Sequence, residues 1–188
     1  GTNGVVSLTG DSSFFQNHQI ALNDDGTYLY VTHGTGISRL DVDSGSESVY
    51  SADAAFGHLL VNGDTIYALN LTDFDLVVFS DAAGLNSPDS TLNLTDSISE
   101  YNAFSFVISG SYLYFEADNS IYQVDISSSP EYSINVSLDS HNDGFELGSM
   151  SAISISGVQT LLFTESKYEL NDASYLAIFQ GWTKYGLF

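Results

Sequence analysis

The chain has no cysteine among its 188 residues. That removes disulfides, thiolate zinc sites, iron–sulfur clusters and c-type haem attachment. Folding has to rest on an apolar core and on strand pairing, and the absence is neutral about redox compartment. Positive charge is nearly missing too, with 3 Lys and Arg against 24 Asp and Glu and a formal net charge of −21. Arg39, Lys167 and Lys184 are too few to neutralise a run of phosphates, which argues against nucleic acid as a partner. An anionic membrane surface is disfavoured on the same ground. Divalent cations, or cationic and neutral partners, remain compatible. Apolar residues never run to the ~18 positions that a spanning helix needs. The opening GTNGVVSLTG has no basic region ahead of an apolar core, so we expect either no secretion signal or one already removed. Helical periodicity is absent as well, since no window of about 11 residues places apolar side chains at i, i+3, i+4 and i+7.

The acidity has a particular origin. Charged residues make up 14% of the chain, against roughly 25% in ordinary domains. Lys and Arg are depleted, and Ser, Thr and Asn fill the surface positions. A cytoplasmic extreme halophile would carry far more Asp and Glu. The composition therefore points to a secreted or surface-displayed protein in saline water, where self-repulsion is screened. The cytoplasmic halophile is the lesser alternative. Hydrophobic residues reach 43% and aromatics 13%, which is enough for a packed core and too much for a disordered chain.

What remains is strand and turn. Short alternating runs of Val, Ile, Tyr, Phe and Thr lie between clusters of Gly, Asn, Asp and Ser. The stretch 22–45 shows this best: a turn at Asn23–Gly26, a strand TYLYVT from Thr27, a turn at His33–Gly36, a strand from Ile37 and another turn at Asp43. TIYALN from Thr65, SYLYFE from Ser111 and TLLFTE from Thr160 occupy the same place in later units. Anchored on Leu29, Ile66, Leu113 and Leu162, the units repeat at about 37, 47 and 49 residues, close to the ~40–50 of propeller blades. We expect an all-β chain, a β-propeller of about four antiparallel four-stranded blades in one domain. The blades would fall near 19–51, 58–96, 103–139 and 150–188, with 4–15 as a closing segment. A β-sandwich, or part of a larger propeller, are the alternatives. Trp182, Tyr185 and Phe188 crowd the C-terminal end and would clamp closure or dock a neighbour.

The segments LNDDGTYLYVTHGTGISRLDVDSG and VISGSYLYFEADNSIYQVDIS resemble the repeats of lactonase-like and YVTN-type β-propellers. In those repeats a D-G turn leads to a Y-L-Y-V strand and then an I-x-x-[IVL]-D strand. The resemblance covers about half of the chain and implies fold. It carries over no catalytic residue, because the motif is structural and propellers host unrelated functions.

Candidate chemistry is sparse. His18 and His58 stand near the starts of equivalent inner strands, where two imidazoles could bind a metal in a central channel; unliganded strand-end histidines are the plainer reading. Asp41, Asp43 and Glu47 form D-x-D-x-G-x-E, an oxygen-rich loop of the kind calcium takes. It lacks the third acid of a calcium loop, and acids capping turn amides are the plainer reading. Asp73 with Asp75, and Asp143 with Glu146, are weaker versions. We therefore expect no resident cofactor, with calcium as the one ion the sequence suits. No G-x-S-x-G or other nucleophile motif marks a hydrolase, and no catalytic residue is assigned. Three N-x-[ST] sequons, at Asn70, Asn93 and Asn135, fall on outer or loop-adjacent positions and are glycosylation candidates. His33 and Asp43, which have no counterparts in later units, keep a claim to a private role. The expected function is a non-catalytic extracellular or surface-displayed binding or structural module. Its partner would be a protein or glycan, including self-assembly, with no nucleic acid and no membrane insertion. A lactonase-like extracellular hydrolase with a channel metal is the alternative.

Overall fold

The computed structural model describes residues 19–51, 54–80, 85–94, 106–117, 120–127, 133–135, 145–155, 158–167, 174–180 and 183–187. These contain strands and turns and no helix, hence none long and apolar enough to cross a membrane. The strands form four antiparallel sheets of four, each running through the sequence without a crossover. This is the strand plan of propeller blades. A two-sheet sandwich would interleave its strands between sheets. Contacts divide the chain into two compact units, Gly1–Ser97 and Ile98–Phe188.

The first unit holds two sheets. β1 (Ile20–Leu22), β2 (Tyr28–His33), β3 (Gly36–Asp41) and β4 (Glu47–Ser51) make the first. Its opening turn is built locally: Asn23 Oδ1 accepts from the Tyr28 amide at 2.9 Å, Asp25 Oδ1 accepts from the Thr27 amide at 2.9 Å, and Gly26 takes φ +76°. That left-handed conformation is costly for any residue with a Cβ. β5 (Phe56–Asn62), β6 (Thr65–Asn70), β7 (Asp75–Ser80) and β8 (Ser90–Asn93) make the second sheet.

Strand alternation decides which side chains meet. In the first sheet Tyr30 pairs with Arg39 and Thr32 with Ile37, and Ile37 with Tyr50. That face packs against Phe56, Leu59, Ile66, Val77 and Phe79 of the second sheet. Tyr50 meets Phe79 edge-on with centroids 4.9 Å apart. Thr32 Oγ1 donates to the Gly57 carbonyl at 3.1 Å, crossing between sheets at the core. Full burial of one such aromatic contributes about 1.5–3 kcal/mol.

The second unit contains β9 (Phe106–Ser109), β10 (Tyr112–Ala117), β11 (Ser120–Asp125) and β12 (Ser133–Asn135) in one sheet. β13 (Phe145–Ile155), β14 (Val158–Lys167), β15 (Ser174–Gln180) and β16 (Thr183–Leu187) form the other. Phe115 stacks on Tyr122 at 5.2 Å, and Gln123 Nε2 donates to the Tyr114 hydroxyl at 3.0 Å. Tyr114 and Ile121 pack on Met150 and Leu161, joining the two sheets. β13 begins at Phe145, ahead of the start near 150 expected for the fourth blade. Gly148-Ser149 reads locally as a loop, whereas the ladder continues through it by a register shift between Leu147 and Met150. The expected closing segment 4–15 lies outside the described residues, as do Trp182 and Phe188.

Candidate functional site

The β1–β2 and β3–β4 turns lie at the same end of the first sheet and are tied together where the Val42 amide donates to the Thr27 carbonyl at 2.9 Å. Asp24, Asp25 and Asp43 are exposed there, and Asp41 is half-buried. Asp41 Oδ1 accepts from the amides of Ser44 at 2.7 Å and Asp43 at 3.1 Å. The Ser44 hydrogen bonds, then the Asp43 amide and the Arg39 charge, hold its carboxyl below the usual carboxylate range. Asp25 is shifted the same way by Thr27, and Asp125, which ends β11 as Asp41 ends β3, by Ser127. The terminal Asp of the I-x-x-[IVL]-D strand is thus a turn cap in both repeats.

The calcium set does not assemble. Glu47 pairs with Leu40, while Arg39 pairs with Ser48. Glu47 therefore projects from the face opposite to Asp41, where its Oε1 accepts from the Ser38 hydroxyl at 2.7 Å. The loop spacing placed Asp41, Asp43 and Glu47 together; strand alternation separates them. Among the described residues no three His, Asp or Glu side chains form a group able to hold a metal. His58 is buried within β5 and not at an exposed strand end. His18, its expected partner, lies outside the described residues, as do His141 and Asp143. Asp73 is exposed and Asp75 half-buried. Burial, then the neighbouring Asp73 charge, push the Asp75 carboxyl upward.

His33 has local partners. Its Nδ1 is 3.3 Å from Thr35 Oγ1 and its Nε2 is 3.3 Å from Ser38 Oγ. The single Ser38 hydroxyl proton goes to Glu47. Ser38 must then accept from an Nε2–H, and in the neutral imidazole Nδ1 accepts from Thr35. This is a His–Ser–Glu order, with serine between base and acid. An acyl-transfer triad needs histidine in the middle and an accessible serine, whereas Ser38 is completely buried. The chain of hydrogen bonds satisfies polar groups under the sheet.

The sequons differ from one another. Asn70 is 6% exposed. Its Nδ2 donates to Asp73 Oδ2 at 3.0 Å, and its Oδ1 accepts from the amides of Thr72 at 2.9 Å and Asp73 at 3.2 Å. The expectation that all three positions are open to a glycan fails for this one, because the acceptor nitrogen is folded into a turn. Asn93 is exposed on β8, its Nδ2 donating to Asp75 Oδ1 at 3.0 Å. Asn135 lies on β12, and its side chain is outside the described set.

A feature missed from the sequence is a cleft of about 200 Å³ lined by Tyr28, Arg39, Asp41, Ser46, Glu47 and Ser48. The Arg39 Cζ lies 3.5 Å over the centre of the Tyr28 ring. A signal was present. Arg39 is the one Lys or Arg in 1–97, and a tight hairpin at Gly34-Thr35 puts it on the face of Tyr28 and Tyr30.

No protein-family model matches the chain, and no curated protein sequence matches it. Solved structures do. The N-terminal domain of Nup159 superposes with a TM-score of 0.54 at 14% identity, covering 87% of this chain and 45% of that one. A chain in the S. cerevisiae complex of a Dbp5 variant with Nup159, a Gle1 variant, IP6 and ADP gives 0.51 at 11% identity, covering 89% and 61%. The WD40 domain of SCAP from fission yeast gives 0.46 at 11% identity, covering 87% and 44%. The chain thus spans about half of the length of these structures. At such identities the likeness shows the propeller-type fold and nothing more.

Proposed function

We propose that this chain is a non-catalytic binding or structural module, displayed outside the cell or on a cell or virus surface in saline water, that self-associates or binds a protein. One observation carries this reading. On the face of the first sheet opposite to Tyr30 and Ile37, Ile20 and Leu22 on one edge strand and Val49 on the other are 66%, 53% and 41% exposed, while Val31, Ser38 and Leu40 between them are buried. Exposed apolar side chains on the edge strands are open to a partner. The acidic turns stand at the end of this face. Copies of net charge −21 repel one another in dilute buffer, so salt strengthens association by screening. One matched structure comes from a complex of Dbp5 with Nup159, so a protein–protein role is known for a structure of this kind. The Y-L-Y-V and I-x-x-[IVL]-D wording supports kinship with lactonase-like and YVTN-type repeats at the finer level.

Sedimentation velocity across a series of NaCl concentrations tests the reading. The expected result is a monomer at low salt and a larger species at high salt, with Ile20→Asp and Val49→Asp remaining monomeric. A monomer at every salt concentration, association indifferent to both substitutions, or turnover of ester and lactone substrates would overturn it.

A further inference from the structure

The second sheet opens with a hairpin in which β5 ends at Asn62 and β6 starts at Thr65. Asn62 and Thr65 are the last pair of that ladder, so Gly63 and Asp64 form a two-residue loop. Gly63 takes φ +57°, as the first central residue of a primed hairpin turn must. In such a turn the closing bonds run between Asn62 and Thr65, and the amide of the residue between them is left out of the ladder. Among the described residues neither the Asn62 side-chain amide nor the Gly63 N–H has a hydrogen-bond partner. Both residues are exposed, and no atom lies within 4 Å of where a Cβ on Gly63 would stand. Other asparagines of this unit are held. Asn23 Nδ2 donates to Thr27 Oγ1 at 3.1 Å, and Asn70 Nδ2 to Asp73 Oδ2 at 3.0 Å. Asn93 donates to Asp75 at 3.0 Å, and the amide that follows it, Leu94 N–H, donates to the Phe74 carbonyl at 2.8 Å.

An unrestrained asparagine before glycine is a reactive pair. The Gly63 nitrogen, once deprotonated, can attack Asn62 Cγ. A C–N bond forms, the Cγ–Nδ2 bond breaks, and Nδ2 leaves as ammonia with the proton that the Gly63 nitrogen gave up. The product is a five-membered succinimide, which water opens. Addition of water at Cγ gives aspartate. Addition at the main-chain carbonyl carbon gives isoaspartate, in which the chain runs through the former side chain. Three features of this turn favour the reaction. Glycine has no Cβ to shield its nitrogen or to stop the backbone rotating into the ring geometry. No hydrogen bond restrains either reacting group. Asn62 ends the ladder, where local opening costs least. We propose that Asn62 is a site of spontaneous succinimide formation, which converts it to isoaspartate and aspartate in the folded protein. Isoaspartate adds a backbone atom to the loop that sets the β5–β6 register. Either product places a new carboxylate next to Asp64 in a chain already at −21. The inference goes beyond the binding module and is independent of it, since the site is on the second sheet and the exposed apolar edges are on the first.

The test is incubation of the full chain at neutral and at alkaline pH, followed by peptide mapping that separates isoaspartate from aspartate by chromatography and mass spectrometry. The Asn62 amide is expected to be lost with time, faster in proportion to hydroxide, with isoaspartate present beside aspartate. Asn70 and Asn93 should stay intact over the same period. Asn62→Gln, at an exposed position, would need a six-membered ring and is expected to abolish the change there. Retention of the Asn62 amide in the folded chain, over a period in which the urea-unfolded chain loses it, overturns the proposal, because the turn then protects the pair. Aspartate without isoaspartate overturns it as well, since direct hydrolysis would be the route. So does conversion of Asn70 and Asn93 as fast as Asn62, which would remove any part for the turn. Sedimentation reads association separately, so this proposal and the binding module fail on different measurements.

Discussion

Replacement of Asn70 by Ala separates a structural amide from a glycan acceptor. Asn70 makes three hydrogen bonds, one donated to Asp73 and two accepted from Thr72 and Asp73. The sequon threonine is engaged as well, since Thr72 Oγ1 accepts from the Ala55 amide at 3.2 Å. At about 0.5–1.5 kcal/mol net for each of the three bonds, Asn70→Ala should cost about 1.5–4.5 kcal/mol. Asn70→Asp keeps the accepted bonds but loses the donor and faces a second carboxylate, which should cost roughly 1–2 kcal/mol. Urea denaturation reads both as a fall in midpoint at constant slope. At slopes of ~1–3 kcal/mol/M the alanine variant shifts by ~1 M. Expression in a glycosylating host supplies the second arm. Peptide mapping of folded, secreted protein should find glycan on Asn93 and none on Asn70. An Asn70→Ala variant within ~0.5 kcal/mol of the parent, or a folded fraction glycosylated at Asn70, would refute the reasoning.

Four further outcomes are expected. Phe79→Ala empties a fully enclosed site beneath Tyr50 and should cost about 3–5 kcal/mol in urea melts, a loss under ~2 kcal/mol contradicting the packing described. Asp25, Asp41 and Asp125 titrate below the ordinary carboxylate range when folded. Their stabilisation is complete above the unfolded value near ~4 and disappears as pH falls through the folded values. Asp75 has the opposite sign: its charge opposes folding at neutral pH, so Asp75→Asn should raise Tm at pH ~7 and leave it unchanged at pH ~3, where the parent Asp is protonated. An equal shift at both pH values would exclude the ionic cause. The Ser90 hydroxyl oxygen is enclosed without a hydrogen-bond partner among the described residues, so Ser90→Ala should be neutral or stabilising by up to ~1 kcal/mol, and a clear drop in Tm would show that the hydroxyl is satisfied.

Much of the fold was legible because it is local. Thr65–Asn70 was read from alternation alone and is a strand with those limits. The Asn23–Gly26 turn was legible from an Asx residue followed by glycine, since both act within a few bonds of themselves. The start of β13 was not, because a bulge is held by its partner strand and looks like a loop in one dimension.

The candidate site shows the same division. The sequence by itself determined the turn caps. Asp41, Asp25 and Asp125 bind amides two or three residues away, and no distant element is needed. Only tertiary structure decided that Asp41 and Glu47 point to opposite faces and that Ser38 stands between His33 and Glu47. It alone closed Asn70 into a turn and placed Arg39 over the Tyr28 ring. The physical reason is the two-residue period of a strand. A carboxylate six positions from another is near it in the chain, but cross-strand register chooses the face on which it is found.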